Sequence, residues 1–131
     1  MAVIKRISLI FYRRNYLRSD WRVDLESPEY QRFFSEMTED LGRCDIAFSL
    51  AENLEFTIDI NSYGDLLNAV RVTSLDDGFT NICVGHIIGK SPNLNLAEDI
   101  GRAVKRIAFA PETIPPEEHN RKVCHNCGCG C

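Results

Sequence analysis

Residues 44–60 read CDIAFSLAENLEFTIDI, and this stretch decides how the chain builds its sheet. Cys44, Ile46, Phe48 and Leu50 alternate with Asp45, Ala47 and Ser49. After Ala51-Glu52-Asn53 a second alternation sets Leu54, Phe56, Ile58 and Ile60 against Glu55, Thr57 and Asp59. A period of two marks a strand with one buried face. Two such runs joined by three residues predict an antiparallel hairpin.

Upstream, Val3 to Tyr12 reads as a strand with Val3, Ile7, Leu9 and Phe11 on its apolar face, followed by a stretch over residues 13–26 without clear period. Ser27-Pro28 is a helix start, with serine as N-cap and proline at the first helical position. Tyr30, Phe33, Phe34, Met37 and Leu41 then form one apolar stripe at helical spacing, and Gly42 is placed to end the helix in a left-handed conformation. Downstream, Asn61 to Gly64 is a turn. Residues 65–75 fit either a helix, through Tyr63, Leu66, Leu67 and Val70, or a strand over Ala69–Leu75. Asp76-Asp77-Gly78 and the run Thr80–Ile88 favour a second hairpin. Asn95, with Glu98 three residues on, caps a helix whose apolar face is Leu96, Ile100, Ala103, Val104 and Ile107. The expected fold class is α+β: an antiparallel β-sheet of about four to five strands with two helices on one face.

The sequence has 131 residues, 44% hydrophobic and 26% charged, the balance of a single globular domain. Its longest apolar stretches, such as Ile7–Tyr12, fall far short of the roughly 20 residues a membrane helix needs. Lys5, Arg6, Arg13 and Arg14 interrupt any signal-like apolar core, so a cytoplasmic location is expected. From Pro111 the composition changes: Pro111, Pro115 and Pro116 precede Glu117-Glu118-His119-Asn120-Arg121-Lys122, and no apolar period survives. The expected organisation is a compact recognition body over residues 1–110, an extended linker over 111–123 and a flexible cysteine-rich tail over 124–131.

Six of the 15 basic residues lie between Lys5 and Arg22, opposed only by Asp20. Interleaved with Tyr12, Tyr16 and Trp21, they fit either a nucleic-acid surface or a strand edge guarded by charge. The net charge of −4 favours the second, and no nucleic-acid partner is expected. Gly85 and Gly89 lack the third glycine or lysine of a phosphate loop, and no Gly-x-Ser-x-Gly elbow occurs. His86 falls in the alternation Ile82, Val84, Ile88. On a strand, Cys83 and His86 point to opposite faces and cannot form a nucleophile–base pair. Asp76-Asp77 and Glu117-Glu118 read as solvated pairs. The body is therefore expected to be non-enzymatic.

Chemistry concentrates elsewhere. Of six cysteines, Cys44 and Cys83 stand alone in strand-like segments as expected buried thiols. Cys124, Cys127, Cys129 and Cys131 cluster within the last eight residues of the sequence. Two readings of this cluster compete. Thiolates are soft ligands, and Cys-x-x-Cys wraps a tetrahedral ion, so the four cysteines could hold zinc or copper, with His125 or His119 as a further ligand. The segment Val123-Cys124-His125-Asn126-Cys127-Gly128-Cys129 resembles the Val-Cys-x-x-Cys-x-Cys metal claw of nitrile hydratase alpha subunits. It departs from that pattern where Gly128 replaces serine, and the resemblance covers seven residues only.

In the second reading the cysteines are substrates. A folded body, a proline-rich linker and a short Cys/Gly segment resemble in layout the precursors of ribosomally synthesised, post-translationally modified peptides (RiPPs). Thiazoline formation requires a cysteine thiol to attack the preceding carbonyl, and glycine leaves that carbonyl least hindered; Gly128-Cys129 and Gly130-Cys131 fit. Beyond Pro111 there is one threonine, Thr113, and no serine, which excludes rings built on dehydrated Ser/Thr within the tail. This resemblance implies a modifying enzyme as partner, gripping the body through an exposed sheet edge. The linker, extended, would then carry the cysteines roughly 40 Å to its active site. A third reading is lipid attachment, since Cys129-Gly130-Cys131 resembles the doubly prenylated ends of some small GTPases.

Overall fold

The computed structural model describes residues 4–89, 91 and 93–114. Their axis is a 12-residue strand, β1 (Lys5–Tyr16), which outruns the expected end at Tyr12. Helix α1 (Pro28–Gly42) follows, and the Ser27 hydroxyl accepts from the Tyr30 N–H as the cap residues dictate. Then comes β2 (Ile46–Ile60), a single 15-residue strand running parallel to β1.

The predicted hairpin over residues 44–60 is therefore replaced by a βαβ unit. Its apolar positions keep one phase throughout: Ile46, Phe48, Leu50, Leu54, Phe56, Ile58 and Ile60 are all even-numbered, and only Glu52 interrupts. Nothing in that pattern requires a reversal, and parallel pairing needs a crossover such as α1 supplies. The irregularity at Asn53 is a bulge. While β1 advances from Tyr12 to Arg13, β2 advances from Asn53 to Thr57, so Leu54-Glu55-Phe56 stand out from the ladder.

Residues 65–75 divide between the two elements their pattern allowed. Helix α2 (Tyr63–Asn68) opens with a reciprocal capping box between Ser62 and Asp65, and β3 (Val70–Ser74) follows at once. Gly78, at φ 80°, closes the turn into β4 (Phe79–Cys83), antiparallel to β3, so the second hairpin is present. The expected strand over Thr80–Ile88 stops halfway: Val84–Ile88 is the short helix α3, capped by the Cys83 thiol. Helix α4 (Leu96–Phe109) is capped by Asn95 with its side chain accepting from Glu98 N–H. Among the described residues the sheet order is β2-β1-β3-β4, mixed rather than antiparallel, with four strands and four α-helices.

One face of the sheet carries the core. Ile7, Leu9 and Phe11 of β1, Val70 and Val72 of β3 and Ile82 of β4 are buried there. Over them lie Phe34, Met37 and Leu41 of α1 and Ile100, Val104 and Ile107 of α4, with Phe11 and Phe34 edge to face at 5.8 Å. Each fully buried side chain of this kind contributes about 1.5–3 kcal/mol. Gly42 ends α1, but the left-handed residue is Asp45, at φ 60°, because two further turn hydrogen bonds follow first (Cys44 N–H to Leu41 O, Asp45 N–H to Gly42 O). In the sheet order β1 lies between β2 and β3, but β3 pairs only with Ser8–Phe11, so Arg13 and Arg14 stand in a stretch paired with β2 alone.

Candidate functional site

Cys124, Cys127, Cys129, Cys131, His125 and His119 lie outside the described residues. Of the two body cysteines, Cys83 is buried and Cys44 is exposed. Cys44 sits in the turn after α1 rather than in β2, which is why the expectation of a buried thiol fails there. Cys83 and His86 belong to a helix start instead of one strand: the Cys83 Sγ accepts the His86 backbone N–H at 3.3 Å. Among the described residues no group of three or more His, Cys, Asp or Glu stands arranged to hold a metal, and no helix is long and apolar enough to cross a membrane.

Asp76 and Asp77 are structural rather than merely solvated. Asp77 Oδ2 receives the Lys5 ammonium at 2.8 Å and the Ser74 hydroxyl at 2.6 Å, while Lys5 also donates to the Ile107 carbonyl near the end of α4. Burial alone would raise the Asp77 carboxyl, but the Lys5 and Ser74 hydrogen bonds and the Lys5 charge hold it below its usual range. Asp76 accepts the Arg6 backbone N–H. The pair thus ties the start of β1 to the β3–β4 turn.

Two features of the body bear on recognition. The first is the outer edge of β2. Ser49, Leu50, Ala51 and Glu52 are exposed, as are Leu54–Thr57 of the bulge, with Leu54 at 57% and Phe56 at 52%. β2 contains Glu52, Glu55 and Asp59 and no Lys, Arg or Pro. Asp59 accepts from Asn15, whereas Glu52 and Glu55 have no ion-pair partner among the described residues. The bulge has a rigid base. Phe56 stacks on Tyr12 at 6.2 Å, the Tyr12 hydroxyl accepts from Asn81 Nδ2 at 2.5 Å, and the Arg71 guanidinium lies 5.4 Å from the Tyr12 ring centre. The other sheet edge, β4, is five residues long and carries the left-handed Asn81. Short, distorted edges of that kind resist pairing; long ones without Lys or Pro invite it.

The second feature is the last stretch of the described residues, 111–114. Residues Pro111–Thr113 form a single tight turn, and Ile114 is buried in the core. Arg106 clasps this turn: its Nε donates to Thr113 Oγ1 at 2.9 Å, and its two terminal nitrogens donate to the Thr113 and Ile87 carbonyls. The body consequently includes residues 111–114, which composition alone assigns to a linker. Beside it, a groove of about 170 Å³ between α1 and α4 is lined by Phe33, Met37, Leu41 and Phe109 and rimmed by Glu36, Asp40 and Lys105.

No protein-family model matches this chain, and neither does any curated protein or solved structure.

Sequence reasoning missed the network around Arg71. Strand alternation in Val70-Arg71-Val72 suggests a solvated arginine, yet Arg71 is 2% exposed. Its hydrogen bonds go to Asn68 O, Asn68 Oδ1 and Asn81 O, all neutral. The only local hint was the pair of asparagines, Asn68 at the end of α2 and Asn81 in the middle of β4, whose short polar side chains can hydrogen-bond locally.

Proposed function

We propose that this protein is a non-enzymatic substrate whose folded body is held by a modifying enzyme while that enzyme acts on Cys124, Cys127, Cys129 and Cys131. The observation that carries the reading is the Arg106 clasp. It anchors the last described residues, up to the buried Ile114, to α4. In this reading the ten residues from Ile114 to Cys124, extended in a polyproline-like form, would reach about 30 Å, a tether length that would keep four thiols at high effective concentration near a docked active site. Gly128 and Gly130 precede Cys129 and Cys131, so the carbonyls those thiols would attack are unhindered.

The test is intact mass spectrometry of the chain produced alone and together with the proteins encoded beside it. A precursor is unmodified alone. With the modifying enzyme it loses one water per heterocycle, or a water and two hydrogens per oxidised ring, within the fragment after Lys122. Zinc or copper retained stoichiometrically under native conditions and released on acidification, with no covalent change in any co-production, would overturn the reading in favour of a metal-thiolate tail.

A further inference from the structure

We propose that the outer edge of β2, over Ser49–Thr57, docks an extended segment of a partner protein that carries lysine or arginine among its apolar residues. The inference deepens the recognition role given to the body and rests on that reading for its biological purpose, though not for its physics.

The argument starts from the unpaired backbone. Along an outer strand every second N–H and C=O points away from the sheet, a template for one more strand. Proteins commonly blunt such edges with lysine, proline or shortness, and β4 is short while β2 is not. The bulge adds specificity. It lifts Leu54 and Phe56 into solvent, where a partner can cover them, and it interrupts the ladder at Asn53 so that an added strand is confined to Ser49–Asn53. Phe56 rests on Tyr12, itself fixed by Asn81 and Arg71, so the apolar contact is preorganised and loses little freedom on binding.

Charge selects the occupant. Glu52 and Glu55 flank the exposed apolar positions without a cation of their own. A segment placing Lys or Arg opposite them gains cross-strand attraction, and an acidic one is repelled. The same two carboxylates disfavour the other occupants. A second copy paired through β2 would align acidic strips with no base between them, and nucleic acid or an anionic lipid surface would bring further negative charge.

The probe is a backbone-cyclised β-hairpin peptide whose outer strand alternates valine and lysine, titrated into the full chain labelled with ¹⁵N. Its control replaces every lysine with glutamate. The expected result is amide shifts and slowed hydrogen exchange confined to β2 between Ser49 and Thr57, with the basic hairpin binding roughly tenfold more tightly than the acidic one, since two attractive exposed pairs become two repulsive ones. Glu52→Lys/Glu55→Lys, a surface double variant whose unfolding midpoint should match the parent, reverses the preference. Shifts mapping to the α1–α4 groove, equal binding of both hairpins, or concentration-dependent self-association through the strip would each overturn the proposal. Co-production separates it from the substrate reading. A tail modified in the parent and unmodified in the double variant supports both. Basic-hairpin binding at the strip with an unmodified parent tail removes the substrate reading alone. A tail modified equally in parent and double variant overturns the strip alone.

Discussion

The guanidinium of Arg71 lies under the ring of Tyr12, 5.4 Å from its centre, and every hydrogen bond the guanidinium makes is to a neutral oxygen of Asn68 or Asn81. A buried cation ordinarily demands a carboxylate, and this one is held by carbonyl dipoles and an aromatic face instead. The arrangement links α2, β3, β4 and β1 at one point, beneath the bulge that carries Phe56.

Replacing Arg71 by methionine keeps the volume and removes the charge but strands three oxygen acceptors in a buried site. Each such group costs roughly 1–3 kcal/mol when unsatisfied, and relief of the buried charge offsets part of that. Arg71→Met should lower stability by about 3 kcal/mol in urea unfolding. Tyr12→Phe, which frees only Asn81 Nδ2, should cost about 1 kcal/mol. Unfolding curves for Arg71→Met that overlie the parent would mean that carbonyl dipoles compensate the charge poorly and that the network is dispensable.

The acid and alkaline limbs of stability should have separate owners. Asp77 is held below its ordinary 3.8 in the folded state, so it contributes stability at neutral pH that disappears as the pH falls through 3.8 and below. Tyr63 moves the other way. Burial first, then its hydrogen bond to Asp99 at 2.5 Å, pushes its hydroxyl well above the usual tyrosine range, so its contribution is complete below pH 10 and is lost as the pH rises beyond it. Denaturation midpoints measured from pH 3 to 11 should show Asp77→Asn flattening the acid limb only, at a neutral-pH cost of about 1.5 kcal/mol. Tyr63→Phe should flatten the alkaline limb only.

Much of this fold is legible in the residues themselves, and the failures have physical causes. Ser27-Pro28 and Asn95 with Glu98 mark the starts of α1 and α4 because capping is a local interaction, complete within one helical turn. The direction of β2 is not local. An even-numbered apolar pattern fits a continuous strand and a hairpin equally, and only the position of α1 between two long strands selects parallel pairing. Thr80–Ile88 misled for a related reason: Val84, Gly85 and Ile87 are buried in a helix packed on α4, and a five-residue helix is too short to show its period. Cys124–Cys131 were conspicuous by composition. The β2 strip was not, since exposure of Leu54 and Phe56 depends on a bulge that no residue type announces.

The end of the body is open to a direct measurement. Composition places the boundary after Ala110, but Ile114 is 5% exposed and Thr113 is gripped by Arg106. If the proposed division into body and tail holds, a chain ending after Ile114 should unfold within about 0.5 kcal/mol of the full chain. A chain ending after Ala110 should lose about 3 kcal/mol, the burial of one isoleucine together with the arginine clasp. Equal melting of the two truncations would show that residues 111–114 add nothing.

Cysteine reactivity should separate the two body thiols cleanly, and the contrast reports on both the α1–β2 turn and the α3 cap. Cys44 follows α1 in an exposed turn, where a reagent can approach it. Cys83 is 2% exposed, with its sulfur accepting the His86 N–H at the start of α3, so labelling requires that the β4–α3 junction open. Brief treatment of the native protein with iodoacetamide, followed by proteolysis and peptide mass mapping, should modify the peptide containing Cys44 at the rate of an unstructured thiol. The Cys83 peptide should react at least about a hundredfold more slowly, since opening of a buried element by 3 kcal/mol alone imposes that factor. Cys83→Ala should leave the Cys44 rate unchanged while loosening α3, seen as faster amide exchange at His86. Fast native labelling of Cys83 would show that the cap is open in solution, and the helix would then have to be held by the packing of Val84 and Ile87 and by the Arg106 hydrogen bond to the Ile87 carbonyl.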